Sequence, residues 1–223
     1  LDLQALGGGA GRYLSFGAYP MDGGVAFASG VWCDGHQSPV ATQDIREDLS
    51  HAWMLGEVAH PLRGMTDPDE SMSAPGYSWC KAPRLAGVPM EVGALARQVV
   101  DGHPLALDLA QRGGVMARVS ARLLELARTQ ILMEQMVADL HPGAAFMTQG
   151  TLPRQGSGAG LVEAARGALG HWIRIENGKI ASYQIIAPTT WNFSPRDAAG
   201  QPGPLEAALK GTPVEGPVPL AVQ

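Results

Sequence analysis

Cysteine is nearly missing from this sequence. Two residues, Cys33 and Cys80, stand in 223. They lie far apart and outside any Cys-x-x-Cys, so they build neither a disulfide framework nor a local thiolate metal site. Both read as small buried hydrophobes in a reducing compartment. The six histidines never fall at i, i+4 with an acid between them, which excludes a self-contained helical zinc motif. Charge is sparse at 17% and sums to -5, so there is no basic face for nucleic acid. No apolar run reaches the ~18 residues of a membrane span. The opening Leu1-Asp-Leu-Gln-Ala-Leu has neither half of a signal peptide and no initiator Met, so we expect the chain to begin inside a longer polypeptide. Gly156, Gly158 and Gly160 form Gly-x-Gly-x-Gly without a following Gly-Lys-Ser/Thr, and no Gly-x-Ser-x-Gly elbow occurs.

What the chain has instead is glycine, 29 residues, and proline, 17, which point to many shaped turns. Its length and the lack of a linker suggest one domain, 1–223. Tyr13 to Tyr19 and Val25 to Trp32 read as strands joined through Met21-Asp-Gly-Gly. Thr42 followed by acids predicts a short helix running toward Trp53. Residues 57–90, punctuated by prolines, read as irregular, and 90–100 as a short helix. Apolar residues recur at three- and four-residue steps over 114–140, which predicts a helix whose Leu, Val and Met stripe is core. Residues 142–160 read as loop, leading through a turn-rich connector to a hairpin around Asn177-Gly178. Pro188 ends its second strand. Residues 204–210 form a short helix before a proline-rich tail.

Three positions invite chemistry. Arg166 lies in an Ala-Arg-Gly turn, where a guanidinium's five donors can face a ligand, or can pair with Glu163 or Asp197. Thr189 and Thr190 offer hydroxyls at a strand end, for a ligand or for capping. The glycines at 156–160 are expected to permit close backbone approach or sharp turning. From residues alone the reading stops at an α+β domain of unspecified chemistry.

The motifs carry more. Glu163-Ala-Ala-Arg-Gly-Ala-Leu-Gly-His-Trp, Asn177-Gly-Lys-Ile, Tyr183-Gln-Ile-Ile-Ala-Pro-Thr-Thr-Trp-Asn-Phe-Ser-Pro-Arg-Asp and Glu206-Ala-Ala-Leu-Lys-Gly-Thr-Pro-Val come in order. They follow His51-Ala-Trp, His60-Pro-Leu-Arg-Gly-Met-Thr, Tyr77-Ser-Trp-Cys-Lys-Ala-Pro-Arg and Pro89-Met-Glu-Val-Gly-Ala-Leu-Ala-Arg. Together they resemble the large subunit of nickel–iron hydrogenases over essentially the whole chain, with wording nearest the cytoplasmic uptake and hydrogen-sensing branch.

The resemblance implies an α+β fold, predominantly helical with peripheral β-hairpins. It implies a nickel–iron centre with cyanide and carbon monoxide on the iron, reversible heterolytic cleavage of dihydrogen, and iron–sulfur clusters on a small-subunit partner. It places Arg166 over the metals against one cyanide and Thr189, after Pro188, against the other. Leu169 and Ala187 would wall the carbon monoxide, and the backbone carbonyl of Ile185 would bind a structural magnesium. A cytoplasmic setting is expected, with any membrane attachment through a partner.

The departures are equally specific. The family's two Cys-x-x-Cys pairs and its glutamate proton acceptor are absent, and Ala165 stands where many members carry proline. Pro217-Val-Pro-Leu-Ala-Val-Gln resembles the sequence just before the second pair. The chain alone is therefore expected to bind no nickel–iron centre and to turn over no hydrogen. The alternatives are a non-catalytic scaffold that binds maturation proteins or the small subunit, and a small-molecule domain whose Arg166 grips a carboxylate.

Overall fold

The computed structural model describes residues 6–21, 23–73 and 75–212. The aromatic and β-branched runs near the start form β1 (Arg12–Met21) and β2 (Gly24–Cys33), antiparallel with Leu14 opposite Val31, and β3 (His36–Ser38) extends the sheet. This matches the expected hairpin, although Asp22 of its connection lies outside the described residues. The expected helix after Thr42 is instead one 3₁₀ turn, Thr42–Asp44, followed by β4 (Ile45–Asp48). Tertiary pairing overrides the capping signal there. Ile45 is fully buried, and Glu47 meets Lys81 at 2.8 Å. The largely irregular stretch that follows holds β5 (Met54–Leu55), β6 (Asp67–Pro68) and β7 (Ala82–Leu85), the last paired with β4.

Three helices follow: α1 (Ala94–Val100), α2 (Pro104–Arg112) and α3 (Gly114–Ala138). α1 is buried along its whole length, including Arg97 and Gln98 among its apolar residues. α2 was not anticipated, although Pro104 at its first turn is a recognisable start. α3 has the expected span but not the expected orientation. Its inward residues are Gly114, Ala117, Ala121 and Leu132, and Arg118, Glu125 and Arg128 pair with Glu91, Arg97 and Asp101. Small residues let the helix approach closely, and the charges lock its register. The apolar stripe faces outward: Leu123, Leu126 and Val137 are more than 60% exposed, and Met133 is 55% exposed.

The last third contains β8 (Gln155–Ala164), β9 (Gly167–Glu176) and β10 (Lys179–Ile186), in the order β10-β9-β8. It ends in α4 (Pro188–Asn192) and α5 (Pro204–Leu209). Residues 142–154 are irregular as expected, but β8 replaces the end of the expected loop and the connector after it. Its serine and glycines read as loop because the strand borrows its ladder from β9 and brings few packing side chains. Gly158 and Gly160 have open space around an added Cβ and no left-handed φ, so they serve neither close approach nor turning.

Strand accounts for about 33% and helix for about 27%, so the fold is α+β but not predominantly helical. Nor are the hairpins peripheral. Leu14, Phe16 and Val31 from the first sheet and Trp172 and Ile186 from the last share one core with Ile45, Met90, Val92 and Trp191. No helix among the described residues is long and apolar enough to cross a membrane. The tail motif Pro217–Gln223 lies outside the described residues.

Candidate functional site

β9 enters the core through a two-residue turn. Ala164 pairs with Gly167, leaving Ala165 and Arg166 to connect β8 to β9. Gly167 has φ of 129°, and a Cβ there would meet the Gly93 nitrogen at 2.6 Å and Val92 Cγ2 at 2.7 Å. Only glycine allows the turn to sit this close to the start of α1. Gly93, itself at φ 130°, precedes that helix.

A buried arginine fastens the same turn. From α1, Arg97 donates through Nη1 to the Ala164 carbonyl at 3.0 Å and through Nη2 to the Ala165 carbonyl at 3.1 Å. It also meets Glu163 at 2.7 Å and Glu125 at 2.8 and 2.5 Å. Glu163 accepts from the Phe16 N–H at 2.8 Å with its other oxygen. Burial pushes the Glu163 carboxyl above its ordinary value, and the Phe16 N–H and Arg97 offset only part of that rise.

The second arm comes from β10. Ile186 pairs with Gly170 and Ile185 with His171, so the chain beyond Ile186 runs beside the start of β9. Ala187 leaves the ladder across from Leu169, and Pro188 opens α4 at its first turn. Asn192, at the end of α4, accepts from the Val92 N–H at 3.0 Å and donates to the Val92 carbonyl at 2.9 Å. Behind α4, Arg84 meets Asp197 at 2.8 Å, Ser194 Oγ at 3.1 Å and the Pro195 and Gln201 carbonyls at 3.0 Å. Burial raises the Asp197 carboxyl, but Arg84 and the N–H groups of Gln201 and Ala199 outweigh it and hold the acid below its usual range.

The structure thus gathers Arg166, Leu169, Ala187, Pro188 and Thr189 at one end of the last sheet. Arg166 and Thr189 are exposed, Leu169 and Ala187 half-buried, and Pro188 buried. The alternative roles weighed for the polar pair are not realised. Glu163 belongs to Arg97 and Asp197 to Arg84. Neither threonine caps α4. Among the described residues, the Arg166 side chain has no hydrogen-bond or ion-pair partner. Ile185 stands on the edge strand β10, 47% exposed.

Beside it lies a polar cluster that sequence reasoning missed. Lys81 Nζ donates to Glu47 at 2.8 Å and to Gln184 at 3.1 Å, and Thr66 donates to the same Gln184 oxygen at 2.8 Å. The buried Glu47 Oε1 has no partner among the described residues. Arg97, Arg84 and Asn192 were also missed. The one available signal was a cation inside the apolar helix Ala94-Leu-Ala-Arg-Gln-Val-Val.

No group of three or more His, Cys, Asp or Glu that could hold a metal occurs among the described residues. Cys80 donates weakly to the carbonyls of Lys81 and Thr190, at 3.3 and 3.8 Å. Burial, with Glu47 nearby, pushes its thiol up to about 11, so it stands as a neutral thiol rather than a thiolate.

Residues 1–222 match the family model of the nickel-dependent hydrogenases. An uptake hydrogenase large subunit from Rubrivivax gelatinosus is 32% identical over 89% of this chain and 43% of its own length. A periplasmic NiFeSe hydrogenase large subunit from Desulfomicrobium baculatum is 32% identical over 96% of this chain and 46% of its own. The solved Ni-Fe-Se hydrogenase from D. vulgaris Hildenborough superposes with a TM-score of 0.89 at 31% identity, covering 99% of this chain and 51% of that one. This chain therefore spans about half the length of the relatives it matches.

Proposed function

This chain belongs to the nickel-dependent hydrogenase family, and from that premise we propose that it supplies the outer surround of a nickel–iron centre in a hydrogenase large subunit. The reaction is reversible heterolytic cleavage of dihydrogen, with electrons leaving through iron–sulfur clusters on a small-subunit partner. The bound centre, an iron carrying cyanide and carbon monoxide beside nickel, supplies the electrophile and the electron sink. The described residues suit the surroundings of such a group rather than its ligation. Cys80 is neutral and turned to backbone carbonyls, and Cys33 lies at the end of β2, so the ligating thiolates come from elsewhere in the assembled subunit.

Arg166 has all five N–H donors available. It would serve as a hydrogen-bond donor to a cyanide of the bound centre and as a fixed positive charge beside it. The Thr189 hydroxyl donates to the other cyanide. Leu169, Ala187 and Pro188 would supply an apolar wall toward the carbon monoxide, where such hydrogen bonds strengthen. The Ile185 carbonyl would hold a structural magnesium ion. The orphaned Glu47 oxygen, linked through Lys81 to the adjoining Gln184, supports this placement, because a hard cation takes oxygen ligands. Maturation proteins are partners in inserting the metals. The setting is cytoplasmic, supported by two free thiols, with one relative named periplasmic as the counterweight.

The observation that carries this reading is the pairing of two unengaged donors, Arg166 and Thr189, over an apolar rim at one sheet end. The test is metal analysis and hydrogen-dependent dye reduction on the full-length subunit with its partner. Nickel and iron should approach one each. Arg166→Lys should lower kcat ~100-fold and Thr189→Val ~10-fold with metals retained. A metal-free native complex, or full activity in both variants, sinks the proposal.

A further inference from the structure

We propose that Arg97 is a positioning residue: it sets where Arg166 stands by holding the two backbone carbonyls that precede it. The inference rests on the role assigned to Arg166 above. Arg97 is 4% exposed at its side chain and uses every donor it has. Nε and one Nη2 hydrogen serve Glu125, one Nη1 hydrogen serves Glu163, and the remaining two reach the Ala164 and Ala165 carbonyls. One carboxylate would already match its charge, and it has two. Charge pairing does not require the two carbonyl contacts, and both carbonyls belong to the hairpin end that leads into Arg166.

The planar fork makes this a rigid attachment. With one edge fixed on Glu125 of α3 and another on Glu163, whose second oxygen is held by β1, the guanidinium cannot rotate. The turn is therefore tied to three elements at once. On its other side Gly167 is pressed against Val92 and Gly93, with no room for even a methyl group. Val92 is also the residue that Asn192 grips from the end of α4. Both arms of the site, the Arg166 turn and the helix that carries Thr189, are thus mounted on the one segment from Val92 to Arg97. The spacing between the two donors follows from Arg97 on one side and Asn192 on the other. Hydrogen bonds that act on a reacting centre lose their effect when misplaced by an ångström or less, so this mounting bears on rate without touching substrate.

A double-mutant cycle on the full-length, metal-loaded subunit with its partner tests the proposal. Arg97→Lys keeps the charge but cannot serve two carboxylates and two carbonyls together. It should lower kcat ~10-fold at unchanged KM for hydrogen and unchanged nickel and iron content. It should also shift a cyanide stretching band in the infrared in the same sense as Arg166→Lys. Added to Arg166→Lys, Arg97→Lys should cost less than about twofold more in kcat, because the group it places is already gone. If Arg97→Lys does not load metal, Glu125→Gln, which loosens the fork from a partly exposed partner, takes its place under the same criteria.

An undiminished ~10-fold loss in the Arg166→Lys background would mark Arg97 as merely structural and overturn the inference. So would wild-type kcat and cyanide bands in Arg97→Lys. If Arg166→Lys alone leaves both kcat and the bands unchanged, the assigned role of Arg166 fails and the positioning role fails with it.

Discussion

β9 begins and ends in two-residue turns, and the two are built on opposite principles. Asn177-Gly178 closes the outer end. Asn177 takes φ 54° and Gly178 φ 74°, the left-handed pair that a tight hairpin needs, and the space around Gly178 is open. Ala165-Arg166 closes the inner end. Its neighbour Gly167 is wedged against Gly93, and its carbonyls are held by a buried arginine 67 and 68 residues away in sequence. The outer turn is specified chiefly by its own two residues, with one further bond from the Gly178 N–H to the Arg154 carbonyl at 2.9 Å, whereas the inner turn is specified by the body of the protein. A turn that can form alone places nothing accurately. A turn that is held can present a side chain at a fixed point.

Substitutions at the two ends should separate these principles. The largest effect is expected from Arg97→Met, which leaves Glu125 and Glu163 without their cation; we expect a loss of ~3–5 kcal/mol in chemical denaturation. Gly167→Ala comes next, at about 3 kcal/mol, because overpacking against Gly93 adds to a disfavoured φ. Gly178→Ala should cost only ~1 kcal/mol, from the φ term alone. If Gly167→Ala is no worse than Gly178→Ala in parallel melts, the contrast between the turns collapses. The smallest effect concerns acid. The Asp197 carboxyl is held below its ordinary 3.8, so its contribution to stability is complete above that pH and is lost as pH falls through the lower folded value. Asp197→Asn should therefore flatten the stability–pH curve below about pH 4. A slope unchanged by the substitution would show that the Arg84 grip behind α4 does not titrate.

The same contrast explains what the sequence disclosed. The Asn177-Gly178 hairpin, the first hairpin and the span of α3 were legible because each is written locally, in turn chemistry or periodicity. β8 was not, since Gly156, Ser157, Gly158 and Gly160 become strand only through the ladder that β9 offers. The helix expected at Thr42 failed because Ile45 and Glu47 find partners on β7 and at Lys81. Among the site residues, the positions around Arg166 and Thr189 could be named from motifs. The freedom of their side chains could not, because it depends on Arg97 and Arg84 taking the acids that might have paired with Arg166. The outward stripe of α3 misled for a related reason. Periodicity finds an apolar face but does not say which way it turns.

That stripe gives α3 two attachments of contrary temperament. Toward the body it is held by Arg118 to Glu91, Glu125 to Arg97 and Arg128 to Asp101, buried and part-buried partnerships that added electrolyte screens only weakly. On its far side Leu123, Leu126 and Val137 await apolar cover of a kind that strongly excluded salts reinforce. Ammonium sulfate and sodium chloride should then act unequally on the helix: the first favours burial of the stripe, while the second leaves the hold beneath it nearly unchanged. The Arg97–Glu125 pair is shared between this helix and the Arg166 turn, so the turn keeps its mounting when the ionic composition of the medium changes.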